Sequence, residues 1–357
     1  LWKTEVPLPG NSSPIVWDNR VFLTGATEDE RVVYCFDADS PGTMLWETKT
    51  PENAAEPPEV GATTGFAACT PATDGRRVYA MFANGDAVAV DIDGQIAWSQ
   101  SFGVPKNVYG HAASLTVHED RLIVQLDQGG KDDDLSKLMA LDVATGDTLW
   151  ETVRKVPNSW TTPIVIERDG QAQIITAADP WVIAYDAVDG KELWRVECLQ
   201  ADVGPSPTYA DGVIYTANEF PGATAIRVPD GAGTTEAEIL WEADIGAPDC
   251  ASPLVAGDLV LLLASYGVLT CYDAAEGVDP LWEEDFDESS FTSSPTQVGD
   301  RVYLFGEEGR AYILEPTKDE CKRIAEAQLG EGCVTSPACQ DGRIYIRGKK
   351  HLFCIGQ

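Results

Sequence analysis

The chain is short of basic residues, with 25 Lys and Arg against 58 Asp and Glu and a formal net charge of −33 at pH 7. Phosphate backbones are bound by a basic face, so this deficit excludes nucleic acid as a partner. The acidic excess favours solubility in a salty or crowded medium, with attraction of a cation or a basic partner as the alternative. The run Asp132-Asp133-Asp134 lacks the alternating spacing of a calcium loop, so we interpret it as a solvated loop and predict no metal site.

Histidine is also scarce, and the chain lacks long apolar runs. With only three histidines, a Ser-His-Asp hydrolase is poorly supported, and we predict no catalytic residue. His118 follows a strand beside two acidic residues, and His351 takes a strand position, which leaves His111 as the one histidine of interest. No run of eighteen apolar residues occurs, so we predict no transmembrane segment.

The nine cysteines form no recognisable framework. Their number is odd, no two are adjacent, and their spacings match no zinc pattern. Cys35, Cys271 and Cys354 fall in a strand slot that holds alanine in other parts of the chain, where a thiol acts as a small apolar side chain. We therefore predict mostly buried free thiols and no disulfide that the fold requires, which weakens an exported location without excluding it.

The sequence contains a regular repeat of tryptophan. Seven tryptophans recur at intervals of 41 to 52 residues: Trp2, Trp46, Trp98, Trp150, Trp194, Trp241 and Trp282. A period of this size indicates one small supersecondary unit copied many times, each unable to bury its apolar face alone.

A second repeat gives the number of copies. A Ser/Thr-Pro step before an apolar segment occurs seven times, and Ala113-Ser114 fills an eighth slot. Each copy contains four strand signals separated by Asp-Gly or Gly-Asp turns, and the best helical candidate, Asp319–Gln328, is short. We predict an all-β, eight-bladed β-propeller of four-stranded antiparallel blades, a single domain over residues 1–357. Because the last copy ends before its tryptophan, we expect Leu1–Val6 to pair with His351–Ile355 and complete the last blade.

The tryptophans end a motif that points to a family. Ala140–Trp150 has the form Ala-x-Asp-x-x-x-Gly-x-x-x-Trp, Ala184–Trp194 repeats it, and three other copies differ by one residue in length. This resembles the tryptophan-docking repeat of quinoprotein-type, PQQ-like β-propellers, a superfamily that includes PQQ-dependent alcohol dehydrogenases and the propeller lipoprotein of the bacterial outer-membrane protein assembly machine. The resemblance implies that the seven tryptophans pack between blades. Blades 5 and 7 depart from the motif, so we expect them to be less regular.

The first strands should line a central channel, which places several side chains at one mouth. We predict ligand-binding candidates at Asn11, His111, Asp127, Trp160, Asn218 and Thr292, roofed by the loops Pro51–Gly65 and Asp127–Lys137. Trp160 lies off the tryptophan repeat and could stack on a sugar or a quinone-like ring. The alternative is that His111 and Trp160 fill the mouth as packing.

The leading functional hypothesis is a non-catalytic binding or scaffold propeller, most like the outer-membrane assembly type. The resemblance implies export to the periplasm or outer envelope with the leader removed, a monomer, and a protein or glycan partner. The competing hypothesis is a quinone- or sugar-related enzyme that uses the channel mouth. The dehydrogenases of the superfamily carry an adjacent cysteine pair over PQQ and its calcium, which this chain lacks, so we predict no cofactor.

Overall fold

The computed structural model describes residues 2–40, 42–51, 58–61, 63–230, 236–286 and 289–356, and every regular element within them is a β-strand. The strands form eight four-stranded antiparallel sheets, which confirms the predicted all-β, eight-bladed propeller. None of the described residues forms a helix long and apolar enough to cross a membrane. The chain separates into two compact units: unit 1 runs to Asn158 and resumes at Thr335, and unit 2 is Ser159–Val334. The prediction of a single domain stays a prediction.

Unit 1 opens with the lone N-terminal strand and then forms blades 1 to 3. The strands are β1 (Trp2–Glu5); β2 (Ile15–Trp17), β3 (Arg20–Ala26), β4 (Arg31–Asp37) and β5 (Met44–Lys49); β6 (Ala72–Thr73), β7 (Arg77–Met81), β8 (Asp86–Asp91) and β9 (Ile96–Ser101); β10 (Thr116–His118), β11 (Arg121–Leu126), β12 (Lys137–Asp142) and β13 (Thr148–Val153).

Unit 2 holds blades 4 to 7. Its strands are β14 (Ile164–Arg168), β15 (Gln171–Ala178), β16 (Trp181–Asp186) and β17 (Glu192–Glu197); β18 (Thr208–Ala210), β19 (Val213–Asn218), β20 (Gly222–Arg227) and β21 (Glu238–Ala243); β22 (Leu254–Ala256), β23 (Leu259–Leu263), β24 (Val268–Asp273) and β25 (Trp282–Asp285); β26 (Thr296–Val298), β27 (Arg301–Phe305), β28 (Arg310–Pro316) and β29 (Cys321–Gln328).

Blade 8 belongs to unit 1 and joins the two ends of the chain. Its strands β30 (Ala338–Gln340), β31 (Arg343–Arg347) and β32 (His351–Gly356) are followed in the sheet by β1. Trp2 pairs with Cys354 and Glu5 with His351, which confirms the predicted N-terminal strand for the residues that the structure describes; Leu1 lies outside them.

Each tryptophan of the repeat lies opposite a small side chain on the third strand of its blade. Alanine takes this place in blades 2 to 5 and cysteine in blades 1, 6 and 8, because a bulky indole leaves no room for a second large neighbour. Blade 7 reverses the arrangement, with Ile313 on the third strand and Ala325 on the fourth. Cys35, Cys271 and Cys354 therefore take the place of a small apolar residue, as predicted.

The indole of one blade reaches the motif of the next. Within unit 1, Nε1 of Trp46 donates to the carbonyl oxygen of Ile92 at 3.0 Å, and Nε1 of Trp98 donates to that of Val143 at 3.1 Å. The motif glycine lies under the ring: a Cβ on Gly146, which has φ +78°, would be 2.7 Å from a ring atom of Trp98. The motif glycines Gly94, Gly146 and Gly277 thus lie against the tryptophan of the preceding blade.

The Ser/Thr-Pro repeat also has a structural cause. Within each unit, the backbone N–H of such a residue donates to the hydroxyl of its counterpart in the next blade at 2.9–3.0 Å. In unit 1 this series runs from Ser336 through Ser13 and Thr70 to Ser114, and in unit 2 from Thr162 through Ser206 and Ser252 to Ser294. The hydroxyl accepts a hydrogen bond from a backbone N–H that strand pairing does not use, and this explains why serine or threonine occupies the position before proline.

The expectation that blades 5 and 7 are less regular was wrong. Both contain four paired strands, and both show the register shift between third and fourth strands that blades 1 to 4 also have. The segment considered as a short helix forms β29 instead. On this strand, the guanidinium of Arg323 lies 4.5 Å from the ring centroid of Phe286.

The nine cysteines are free thiols in the structure, and most are buried. Burial raises the pKa of Cys69 and Cys271 to about 12 and thereby keeps both thiols protonated. That the fold requires no disulfide stays a prediction, which thiol titration in denaturant with and without reductant would test.

Candidate functional site

In each unit, the turns between second and third strands lie at the same end of the blades as the connections from fourth to first strands, and we call this end the rim. In unit 1 the rim connections are joined by backbone hydrogen bonds from Asn11 to Ala67, from Ala83 to Phe66, from His111 to Ala83 and from Gly129 to Lys106. The six predicted ligand-binding residues divide equally between the two units. Each set is therefore described within its own unit.

Asn11 fixes the connection between blades 1 and 2. Its Nδ2 donates to the carbonyl oxygens of Thr63 and Thr64 at 2.6 and 3.0 Å, and its backbone N–H donates to Ala67. The loop predicted to roof the site, Pro51–Gly65, lies partly outside the described residues, which omit 52–57 and 62. Asn11 therefore orders the described end of this loop.

His111 is buried on the rim of unit 1 rather than open to solvent. Only 4% of the residue is exposed, and its Nε2 has no hydrogen-bond partner among the described residues. Its backbone carbonyl accepts a hydrogen bond from the Cys69 thiol at 3.3 Å. Burial lowers the pKa of the imidazole to about 4, and a hydrogen bond with the backbone of Ala113 opposes this shift. His111 is thus neutral near pH 7.

The buried imidazole predicts a pH dependence of stability. Its pKa is about 4 in the folded chain against 6.5 for the ordinary group, so between these values the unfolded chain binds the proton and the folded chain does not. Stability is fully present above pH 6.5 and falls by up to about 3 kcal/mol as the pH drops to 4. Urea unfolding of His111→Gln should show a shallower loss over this window than wild type, and His118→Gln should match wild type. Parallel wild-type and His111→Gln curves would contradict the assignment.

Asp127 is held in a buried ion pair. Its carboxylate lies against the guanidinium of Arg154, both side chains have 0% exposure, and Gln125 donates to it at 2.9 Å. The backbone carbonyl of Asp127 accepts from Nδ2 of Asn107 at 3.3 Å. The carboxylate therefore joins the base of the 127–137 loop to the connection that follows β13.

Unit 2 contains the other three candidates. Trp160 is partly exposed, and its backbone N–H donates to Val203 at 3.0 Å. Asn218 is buried, and its Nδ2 donates to the carbonyl of Asp202 at 2.6 Å while its Oδ1 accepts from the backbone of Phe220. The hydroxyl of Thr292 donates to the carboxylate of Glu307. All three join neighbouring rim connections, and their predicted role in ligand binding stays a prediction.

Sequence reasoning missed the residues that shape the two rims most. Arg154, which directly follows β13, was not singled out, because no repeat in the sequence links it to Asp127. Phe220 and Tyr266 were also not singled out. Both are exposed, at 68% and 67%, and an aromatic residue at the tip of a two- to four-residue turn is a signal in itself.

PQQ with calcium would need a cluster of side chains that can hold a metal ion. Among the described residues, no group of three or more His, Cys, Asp or Glu side chains is arranged to hold a metal ion. That the chain binds no cofactor stays a prediction.

The chain is similar to proteins of one family and shares its fold with others. The family described as outer membrane protein assembly factor BamB matches residues 1–169 and 178–355. The outer membrane protein assembly factor BamB of Bordetella pertussis is 22% identical over 183 residues, 46% of this chain and 44% of that protein. The chain thus aligns with less than half the length of this curated relative.

Two solved structures illustrate the likeness in fold. The crystal structure of BamB from Moraxella catarrhalis matches with a TM-score of 0.72 and 15% identity, over 100% of this chain and 99% of that one. The quinohemoprotein alcohol dehydrogenase of Comamonas testosteroni matches with a TM-score of 0.66 and 13% identity, over 99% of this chain and 75% of that one. At such identities the likeness shows the fold alone.

Proposed function

Because the chain belongs to the family of the outer membrane protein assembly factor BamB, we propose that it is a non-catalytic scaffold of the bacterial cell envelope that binds protein partners. The family match over nearly the whole chain carries this proposal. A scaffold needs a rigid frame that presents side chains at fixed places, and the hydrogen bonds between successive blades supply such a frame.

The state of the titratable rim residues supports binding over catalysis. A general base must reach its substrate and titrate near the working pH. Burial holds the pKa of His111 at about 4, and Arg154 pairs with the Asp127 carboxylate. In this proposal both groups stabilise the rim, and the seven tryptophans of the repeat hold neighbouring blades together.

Location and partner follow from the same proposal. The chain acts in the periplasm or at the outer membrane, as a monomer within an assembly of other proteins. A net charge of −33 keeps it soluble and selects against acidic partners.

A quinone- or sugar-related enzyme is the second candidate, favoured by the partly exposed Trp160 on the rim of unit 2. Titration of wild type with PQQ and calcium, followed by a glycan panel, while tryptophan fluorescence is recorded, tests it. Saturable binding that is lost in Trp160→Ala would favour this candidate over the scaffold.

The scaffold proposal is tested by affinity purification of the tagged full-length protein from the envelope of its own cells. We expect it in the envelope fraction, with an outer-membrane assembly component recovered in a constant ratio after mild cross-linking. A chain found only in the cytoplasmic fraction, or recovered without an envelope protein, would contradict the proposal.

A further inference from the structure

The rim of unit 2 exposes large apolar side chains on ordered turns. Phe220 occupies the turn between β19 and β20, Tyr266 the turn between β23 and β24, and Ile245 the connection after β21. Their exposed fractions are 68%, 67% and 42%. Apolar groups this open, placed on successive connections at one end of a unit, mark an interaction surface more often than single scattered residues do.

These turns are tightly fixed, so their exposure is built into the fold. The Phe220 turn is held by Asn218, which bonds both to its backbone and to Asp202. The carbonyl of Ile245 accepts from the hydroxyl of Tyr272 in blade 6 at 2.8 Å. The backbone N–H of Ser265, beside Tyr266, donates to the Asp249 carboxylate at 3.3 Å, and Gly267 bonds back to Ala264. A partner would therefore meet side chains that are already in place.

The charge around these apolar side chains has one sign. The rim connections of unit 2 contain no lysine or arginine in the sequence, but they carry acidic residues that include Asp202, Glu219, Asp244, Asp249, Glu307 and Glu331. The corresponding connections of unit 1 contain five lysines: Lys106, Lys131, Lys155, Lys349 and Lys350. In unit 2 the lysines lie at the opposite end of the blades, as Lys191 and Lys318 do. The acidic rim is therefore a local feature and does not merely reflect the overall composition.

Carboxylates from different blades of unit 2 contribute to the electrostatic environment of one rim residue, Cys250. Partial burial, followed by the charges of Asp249, Glu307 and Glu219, raises the pKa of the Cys250 thiol to about 12. Glu219 adjoins Phe220, and Asp249 bonds to the backbone beside Tyr266. These carboxylates thus lie on the same rim as the exposed apolar side chains.

We propose that the rim of unit 2 docks an extended, lysine- and arginine-rich polypeptide segment of a partner protein. Phe220 and Tyr266 offer ring faces to guanidinium and ammonium groups, and the surrounding carboxylates bind the same cations. This inference rests on the proposed scaffold function, because it names the chemistry of one partner surface. An acidic or purely apolar segment would leave the carboxylates desolvated and unpaired.

The test is binding of a fluorescent basic peptide, twelve residues of alternating Arg, Lys, Ser and Thr, to the purified full-length protein by anisotropy. A peptide with Glu in place of each cation is the ligand control. We expect saturable binding that weakens as salt is raised from 50 to 500 mM, and no binding of the acidic peptide. The double variant Phe220→Ala/Tyr266→Ala should bind about tenfold more weakly.

Matched variants at the opposite end of unit 2 control for general effects. Val188→Ala/Val278→Ala removes two apolar side chains of similar exposure, 67% and 64%, and should leave affinity unchanged. Glu219→Gln/Glu307→Gln should weaken binding and flatten its salt dependence, and Glu320→Gln should not. No binding of the basic peptide at 50 mM salt, or equal binding by wild type and the Phe220→Ala/Tyr266→Ala variant, would overturn the inference. Displacement of the peptide by calcium or spermine to the same extent in wild type and in Phe220→Ala/Tyr266→Ala would also overturn the inference. Recovery of the protein with an outer-membrane assembly component would in that case still support the scaffold function.

Discussion

Removal of residues 1–6 is expected to lower the free energy of unfolding by about 3–5 kcal/mol, a cost comparable to truncation of a large core side chain. The strand β1 completes blade 8, where Trp2 packs 6.2 Å from the ring of Tyr345 and Thr4 donates its hydroxyl to Gly42 at 2.8 Å. Val6 is buried and bonds to Lys350. The deletion removes the outer strand of the sheet and leaves one edge of β32 unpaired.

The control for this deletion keeps the strand β1 and replaces only its solvent-exposed side chains. Lys3 and Glu5 are exposed, so Lys3→Ala/Glu5→Ala should unfold within about 0.5 kcal/mol of wild type. Guanidinium unfolding followed by tryptophan fluorescence measures both variants. A midpoint for the deletion that equals the wild-type value would show that β1 does not support blade 8.

The second large effect is expected at the buried ion pair of unit 1. Asp127→Ala should destabilise the protein by about 3–5 kcal/mol, because it leaves the guanidinium of Arg154 buried without its carboxylate. The apolar double variant Asp127→Leu/Arg154→Met should recover most of this loss, since it removes the stranded charge. Thermal and denaturant unfolding of the three proteins measures the difference.

An exposed pair provides the comparison for this prediction. Arg227 and Glu238 lie 3.3 Å apart in unit 2 with exposed side chains, so Glu238→Ala should cost less than about 1 kcal/mol. Equal losses in Asp127→Ala and Glu238→Ala would mean that the Asp127 pair is not buried as the structure describes. A double variant no more stable than Asp127→Ala would mean that packing, rather than charge, controls the site.

The blades could be predicted from the sequence because their signals are local and repeated. A tryptophan needs a small residue opposite it, a Ser/Thr-Pro step satisfies a backbone donor in the adjoining blade, and each requirement returns with every copy. The prediction failed where a copy met the requirement in another way. Blade 7 stays regular because Ile313 and Ala325 exchange sizes across the same pair of strands, which a motif based on tryptophan does not detect.

The rims were less predictable because they depend on contacts between segments far apart in the chain. His111 was identified as a rim residue from its position before a first strand, but its burial depends on what packs around it. Asp127 was identified as a polar residue at the start of a loop, whereas its partner Arg154 lies 27 residues away and no repeat signals the pair. Phe220 was not singled out, because the exposure of its side chain depends on the fold around it.

The proposed function depends most on one claim, that the chain serves outer-membrane protein assembly as a binding scaffold. The most direct measurement is the amount of folded β-barrel protein in the outer membrane of cells that lack the gene. These cells would be complemented either with wild type or with Phe220→Ala/Tyr266→Ala. We expect the level to fall without the gene and to return with wild type. An outer membrane with an unchanged protein content in the deletion strain would contradict the account.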